Sequence, residues 1–450
     1  MIAFTPESLG KASIYQIFAR NYTREGTLKA AAQRLREVAE LGFDLVYLTP
    51  VHPIGELKRK GVLGSPYAIA DYRAVDGALG GEEGLRSFID EAHRLGLGVI
   101  MDVVYNHTAP DSLLAREKPE WFWKGSEGKP GPRVADWSDV ADLDYSRRDL
   151  WEYQIATLEK WARFGADGFR CDVASLVPVE FWVEARSRLS AIKPLIWLAE
   201  SVHKEFVRDL RRAGMYAASD PELHAAFDIT YDYDGREELE AAWKGEGSLG
   251  YYLKLLEVQE CLYPAGATKL RFLENHDQVR AASRFDGARL RNWTALAMLL
   301  PGTFMAYMGQ ELALRKRIGL FDLETMDEKD ADRGFRAFFS AAHALSRKIK
   351  AEAPIFDAVL LAEGLVMVTR SAAREGAGSP RIGAATAPRY VAILNLDGRS
   401  GSMNIPSIPP LEAGDLLDGR EIALRREERG GARLDIGPEP AIMAAADSGR

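Results

Sequence analysis

The sequence predicts an α/β protein: a (β/α)8 TIM barrel with a small domain inserted after strand three and a C-terminal all-β sandwich domain. Three observations predict it. Eight short apolar runs, mostly separated by helical patterns, favour a closed parallel barrel over an open doubly wound sheet. The rhythm breaks once, in a long stretch rich in Gly, Pro, Trp and charge, which inside a domain is usually functional or a small subdomain. From about Ile355 the helices stop, and short β segments with Gly, Pro and Ser turns take over. The expected division is residues 1–105 and 150–353 for the barrel, 106–149 for the inserted domain and 354–450 for the sandwich. A chain of 450 residues exceeds what one core usually holds.

Ser13–Phe18 reads as the first strand. A helix follows in which Leu28, Ala31, Leu35 and Val38 recur every three to four residues, with Gly42 where a C-terminal glycine belongs. Phe43–Leu48 is the second strand, and a helix with Leu85, Phe88, Ile89, Ala92 and Leu95 on one face leads to the third at Leu97–Val104. After the irregular stretch a helix spans about Leu150–Phe164. Strands follow at Gly168–Cys171, Leu195–Ala199, Ala226–Ile229, Leu270–Leu273 and Thr303–Tyr307. Beyond them Leu360–Thr369 and Tyr390–Leu396 read as β segments, and Arg374–Pro388 as an exposed loop.

Composition narrows the function. Apolar residues are 47% and charged residues 28%, as in ordinary globular proteins, and the net charge of −8 argues against a nucleic-acid partner. Two cysteines, Cys171 and Cys261, make no disulfide framework. No basic start followed by an apolar run opens the chain, and no run approaches the ~18 apolar residues of a membrane span, so a cytoplasmic protein away from membranes is expected.

In a β/α barrel, catalytic groups come from the C-terminal ends of strands. Four ends are polar here: Asp102 with Asn106 and His107, Arg170 with Asp172, Glu200 with Ser201, and Glu274 with Asn275, His276 and Asp277. Period two puts Arg170 and Asp172 on one face and Cys171 on the other, where it packs as a small hydrophobe. Any one of these groups reads equally well as a structural ion pair or a satisfied buried polar group. Four coincident strand ends do not.

In this order, DVVYNHT (102–108), GFRCDVA (168–174), LAES (198–201) and FLENHDQ (272–278) closely resemble the short conserved regions of the α-amylase family of glycoside hydrolases, family 13. GSPYAIADY (64–72), VADLD (140–144) and MGQE (308–311) extend the resemblance over essentially the whole chain. It implies Asp172 as nucleophile, Glu200 as general acid/base and Asp277 as the carboxylate that stabilises the transition state. Tyr67, His107, Arg170 and His276 match residues lining the subsite of the cleaved sugar, and Asp102 a mainly structural carboxylate. Cleaving an acetal needs an acid at the leaving oxygen and a carboxylate behind the anomeric carbon. Arg170 is expected to keep Asp172 ionised, while Glu200 must hold a proton for the leaving group. His107 and His276 suit sugar hydroxyls, and Tyr67 offers a flat face to a pyranose.

The implied substrate is an α-1,4-glucan or maltooligosaccharide. Many amylases carry Lys and His three and four residues after the nucleophile, where Ser175 and Leu176 stand here. Hydrolysis, and transfer of the glycosyl unit to another sugar in a glucanotransferase or maltogenic, exo-type manner, are therefore both open, with a non-catalytic carbohydrate-binding barrel as the third reading. Asn106 and Asp142 match two positions that bind structural Ca2+ in many relatives, although two ligands do not make a site and several relatives dispense with the metal. No HExxH or Cys/His pairing suggests zinc. Trp121 and Trp123 read either as sugar platforms or as anchors of the inserted domain; Tyr251 and Tyr252 are equally ambiguous. No sequence feature specifies an oligomer.

Overall fold

Eight parallel strands close on themselves in chain order: β1 (Ser13–Ile17), β2 (Leu45–Leu48), β3 (Gly98–Val103), β4 (Gly168–Cys171), β5 (Ile196–Ala199), β6 (Ile229–Tyr231), β7 (Thr268–Arg271) and β8 (Thr303–Tyr307). Closure is made by β8 against β1, with Phe304 opposite Ser13. The computed structural model describes residues 5–125, 128–134, 136–372, 387–405, 408–412, 414–422, 424–426 and 431–446.

Alternation along each strand sorts the side chains. Ile14, Leu45, Tyr47, Ile100, Leu198, Ile229, Leu270 and Met305 fill the barrel interior. Val46, Phe169, Cys171, Trp197 and Ala199 belong instead to the layer packed under the helices. Cys171 is fully buried there, as a small hydrophobe.

Two strands are displaced from the expected positions. The sixth was expected at Ala226–Ile229 but runs Ile229–Tyr231. Ala226 and Phe227 are apolar because they pack in the helical layer, with the Phe227 ring 5.4 Å from Trp182. The seventh was expected at Leu270–Leu273 but starts at Thr268 and ends at Arg271. Lys269 and Arg271 hid it: both point out of the barrel, into ion pairs with Asp220, Asp234 and Asp232. The helix expected over Leu28–Val38 breaks at Arg34 into Leu28–Gln33 and Leu35–Glu40, and Gly42 follows with φ +85°.

Between β3 and β4, His107–Thr108 pairs antiparallel with Ala141–Asp142. Trp121 is buried, and its Nε1 donates to Asp149 Oδ2 at 2.7 Å while its ring meets Tyr153. It anchors this segment to the helix Arg148–Phe164. Tyr252 is buried, donating to Asp232 at 2.6 Å, whereas Tyr251 is exposed.

After the helix Arg333–Glu352 come β9 (Ile355–Ala362), β10 (Leu365–Ser371), β11 (Pro388–Asn395), β12 (Gly401–Ile405), β13 (Leu424–Arg426), β14 (Ala432–Ile436) and β15 (Ala441–Ala444). The segment expected at Leu360–Thr369 is thus two strands of a hairpin that turns at Glu363 and Gly364, with Gly364 at φ +73°. Of the loop expected at Arg374–Pro388, residues 374–386 lie outside the described residues. A four-stranded sheet (β9-β10-β11-β15) faces a three-stranded one (β12-β14-β13) across Leu365, Val391, Ile405, Leu434 and Met443. The alternate residues Val366, Val368, Ala392, Leu394 and Ile442 join the large core of the barrel's helical layer. Among the described residues no helix is long and apolar enough to cross a membrane.

Candidate active site

The inward face of the first five strands runs on to a polar residue at the C-terminal end. Ile14 leads to Gln16, Leu45 to Tyr47, Ile100 to Asp102, Gly168 to Arg170 and Asp172, and Leu198 to Glu200. Gly168 is required by close packing, since a Cβ there would meet the Ile196 carbonyl oxygen at 2.6 Å.

Arg170 organises the site and has no exposed surface. Its Nη1 donates to Asp102 Oδ1 and Oδ2 at 2.8 and 2.9 Å and to Asp172 Oδ1 at 2.9 Å. Its Nη2 lies 2.7 Å from Glu200 Oε1. The rings of Tyr47, Tyr67 and Tyr231 stand 5.9, 5.6 and 5.6 Å from the guanidinium carbon, which shields it from water. One cation therefore gathers carboxylates from three strand ends.

The remaining residues close the ring. Tyr67 donates to Asp102 Oδ2 at 3.0 Å and contacts His276 Nε2 at 2.6 Å. Gln16 Nε2 lies 2.8 Å from His276 Nδ1, so with the Gln16 amide donating, the ring proton sits on Nε2. That nitrogen also lies 3.1 Å from Asp277 Oδ2. His107 Nε2 stands 3.8 Å from Asp172 Oδ2. Asp172 and Glu200 are only 6% and 7% accessible, whereas the Asp277 side chain is 44% accessible. Two of the carboxylates are thus nearly buried and the third is open to solvent.

Glu200 is held at both oxygens, since the Val173 amide donates to Oε2 at 2.9 Å. Val173 reaches that position with φ +35°, a left-handed backbone that a β-branched residue adopts only at a cost of roughly 1–3 kcal/mol. The strain sits directly after Asp172, in the turn whose amide holds Glu200.

Burial decides the protonation of the site. The Asp102 carboxyl is pushed up to about 6 by desolvation, against the pull of Arg170. Asp172 is likewise pushed well above the usual carboxylate range by desolvation, with Glu200 and Asp102 adding to it and Arg170 opposing. Arg170, expected to keep Asp172 ionised, opposes that rise, with its one guanidinium shared among three acids. Burial lowers His107 to about 4 and His276 to about 3, so both rings are neutral hydrogen-bonding groups.

All eight expected catalytic and sugar-lining residues meet here. Asn106 and Asp142 lie behind them. Asn106 Nδ2 contacts His107 Nδ1 at 3.2 Å, and Asp142 Oδ2 accepts from the Arg133 amide at 3.1 Å. Asp142 Oδ1 is buried without a hydrogen-bond partner, and burial pushes the carboxyl up to about 6. Among the described residues no group of three or more His, Cys, Asp or Glu side chains is placed to hold a metal. Asn106 and Asp142 would together supply two of the six to eight oxygens that calcium takes.

Sequence reading missed Gln16, Tyr47 and Trp137. The first two carried a usable signal, because the period-two argument applied to Arg170 also points them inward. Trp137 carried none: it comes from the aperiodic segment, and its ring lies 5.5 Å from His107. With Leu176, Val173, Val202, Phe206 and Met215 it forms an apolar wall. Ser175 is buried, its Oγ accepting from the Val202 amide at 3.3 Å.

The chain is similar to known proteins in sequence and in fold. The family model for the catalytic domain of alpha amylase matches residues 12–120 and 134–348. An alpha-amylase from Lactobacillus plantarum has a similar structure, with TM-score 0.88 and 35% identity over 98% of this chain and 100% of that one. A maltogenic alpha-amylase, AmyB from Thermotoga neapolitana, gives TM-score 0.82 and 31% identity over 97% and 99%. The alpha-1,4-glucan:maltose-1-phosphate maltosyltransferase of Salinibacter ruber is 33% identical over 39% of this chain, and the match spans only 31% of that protein's length.

Proposed function

Because the chain belongs to the alpha-amylase family of glycoside-active enzymes, we propose that it cleaves α-1,4-glucosidic bonds of maltooligosaccharides or α-glucans with retention. Asp172 attacks the anomeric carbon while Glu200 gives a proton to the departing glycosidic oxygen, leaving a glycosyl ester on Asp172. Glu200 then takes a proton from water, whose oxygen attacks the same carbon and frees the carboxylate. Asp277, the exposed carboxylate, steadies the positive charge that develops on the sugar. The observation that carries this reading is the single buried guanidinium touching Asp102, Asp172 and Glu200 together. In the free protein Glu200 Oε2 accepts from the Val173 amide, and Oε1 lies in ion-pair contact with Arg170.

Glu200→Gln is expected to lower turnover of maltoheptaose by roughly 10²–10⁴-fold, the range of general acid/base catalysis. A loss of less than about tenfold, below that range, would remove Glu200 from the mechanism.

A second reading, transfer to a sugar acceptor, is favoured by the apolar wall after the nucleophile. Leu176 is packed with Val207 and Leu210, and Ser175 is buried, so neither offers a polar hand to the departing sugar. Chromatography of the maltoheptaose reaction separates the two readings. Products longer than the substrate establish transfer, and shorter products alone establish hydrolysis.

The calcium expectation has its own test. With Asp142 supplying one free oxygen, we expect a chelator to shift the melting temperature by less than about 1 °C, since a ligand that does not bind cannot stabilise. A fall of about 5 °C, reversed by calcium, would show a bound ion.

A further inference from the structure

We propose that the barrel carries, away from the catalytic mouth, a site for a tetrahedral oxyanion: a phosphate group, free or as the monoester of a small sugar. A cavity of about 250 Å³ lies where β7 and β8 begin and where the last barrel helix meets the C-terminal sheet. Lys11, Lys269, Arg271, Lys350 and Arg370 line it, together with the exposed acids Glu7 and Glu260.

Three of these cations are already neutralised. Lys11 pairs with Glu7 at 2.9 Å, Lys269 with Asp234 and Asp220 at 2.9 and 3.1 Å, and Arg271 with Asp232 at 2.7 Å. Lys350 and Arg370 are not. They are 4% and 3% accessible, and among the described residues neither has a carboxylate oxygen within 4.0 Å. Lys350 Nζ donates to the Gly302 carbonyl at 2.8 Å, leaving two of its three protons. Arg370 donates through Nη1 to the Pro354 carbonyl at 3.0 Å and through Nη2 to the Leu299 carbonyl, and its Nε has no partner. The Phe356 ring lies 5.0 Å from its guanidinium carbon.

Burying two cations without counter-charge is unfavourable, and the side chains show it. Desolvation, with Arg370 and Arg271 nearby, pushes Lys350 well below its ordinary value; desolvation lowers Arg370 to about 10, against the weak pull of Glu260. A metal ion has the wrong sign for such a cavity. A phosphate group has the right one, with oxygens enough for the spare protons of Lys350 and Arg370. The cavity also has room for more than the phosphate, which is why a sugar monoester belongs to the proposal.

The test is calorimetric titration of the full chain with inorganic phosphate at constant ionic strength, chloride being the ion replaced. One saturable site is expected. Lys350→Met and Arg370→Gln should each weaken it about tenfold or more, while maltoheptaose turnover stays within about twofold of the parent. Glucose 1-phosphate separates the sources: binding about tenfold tighter than phosphate assigns the monoester, and equal or weaker binding assigns the free ion. Selenate soaked into crystals of the parent needs no variant, and its anomalous peak should fall between Lys350 and Arg370. A non-saturable response with no such peak, binding that survives in both folded variants, or phosphate displaced by maltoheptaose overturns the proposal.

Discussion

Asp172→Asn is expected to lower turnover of maltoheptaose on the order of 10⁴-fold or more, because it removes the atom that forms the covalent bond. The same change should leave the protein at least as stable as the parent at pH 7. The Asp172 carboxyl is pushed up in the folded state by desolvation first and by Glu200 and Asp102 next, so its charge is a burden there. An acid whose folded value lies above its unfolded value contributes stability below the unfolded value, and that contribution is lost as pH rises through the folded value. A neutral Asn escapes this loss while its carbonyl oxygen still accepts from Arg170. Thermal melts at pH 5 and pH 8 check the sign: the variant's melting temperature should gain on the parent's as pH rises. A variant that gains instead as pH falls would contradict the electrostatic account.

Arg170→Met should be the most destabilising single change in the site. It leaves Asp102, Asp172 and Glu200 buried without their shared cation, and breaking a buried ion pair from one side costs about 3–5 kcal/mol. The deficit has a pH signature. Without Arg170, the carboxylates take up protons more readily, so the variant should lose less stability relative to the parent at pH 5 than at pH 8. Denaturant unfolding at the two pH values measures this. A deficit that does not vary with pH would mean that Arg170 acts through packing alone. Arg170→Lys should fall between the two, since one ammonium cannot reach three carboxylates as a planar fork does.

The barrel and its chemistry were legible where the sequence signal is local. Apolar runs ending in Asp102, Asp172 and Glu200 report both a strand and the polar end of it, so periodicity and composition agree. They disagreed at β7, where Lys269 and Arg271 look like loop residues until the outward ion pairs to Asp220, Asp232 and Asp234 are seen. At β6 the reverse held: Phe227 looks like strand and packs beside it. What no local pattern shows is the meeting of distant residues. Trp137 reaches His107 only through the path of the segment after β3, and Lys350 approaches Arg370 only because the last barrel helix and the C-terminal sheet come together. The protonation of Asp172 belongs to the same class. Arg170 two residues away suggested a carboxyl held down, whereas desolvation, a consequence of the whole fold, pushes it up against that guanidinium.

The central claim is that Asp172 forms a bond to sugar while Glu200 serves the leaving and entering oxygens. Mass spectrometry of Glu200→Gln incubated with α-maltosyl fluoride tests it most directly, because fluoride departs without an acid and the stalled second step lets the ester accumulate. A maltosyl adduct on the peptide containing Asp172 is the expected result. An adduct on another carboxylate, or steady release of maltose with no adduct on any residue, would contradict it.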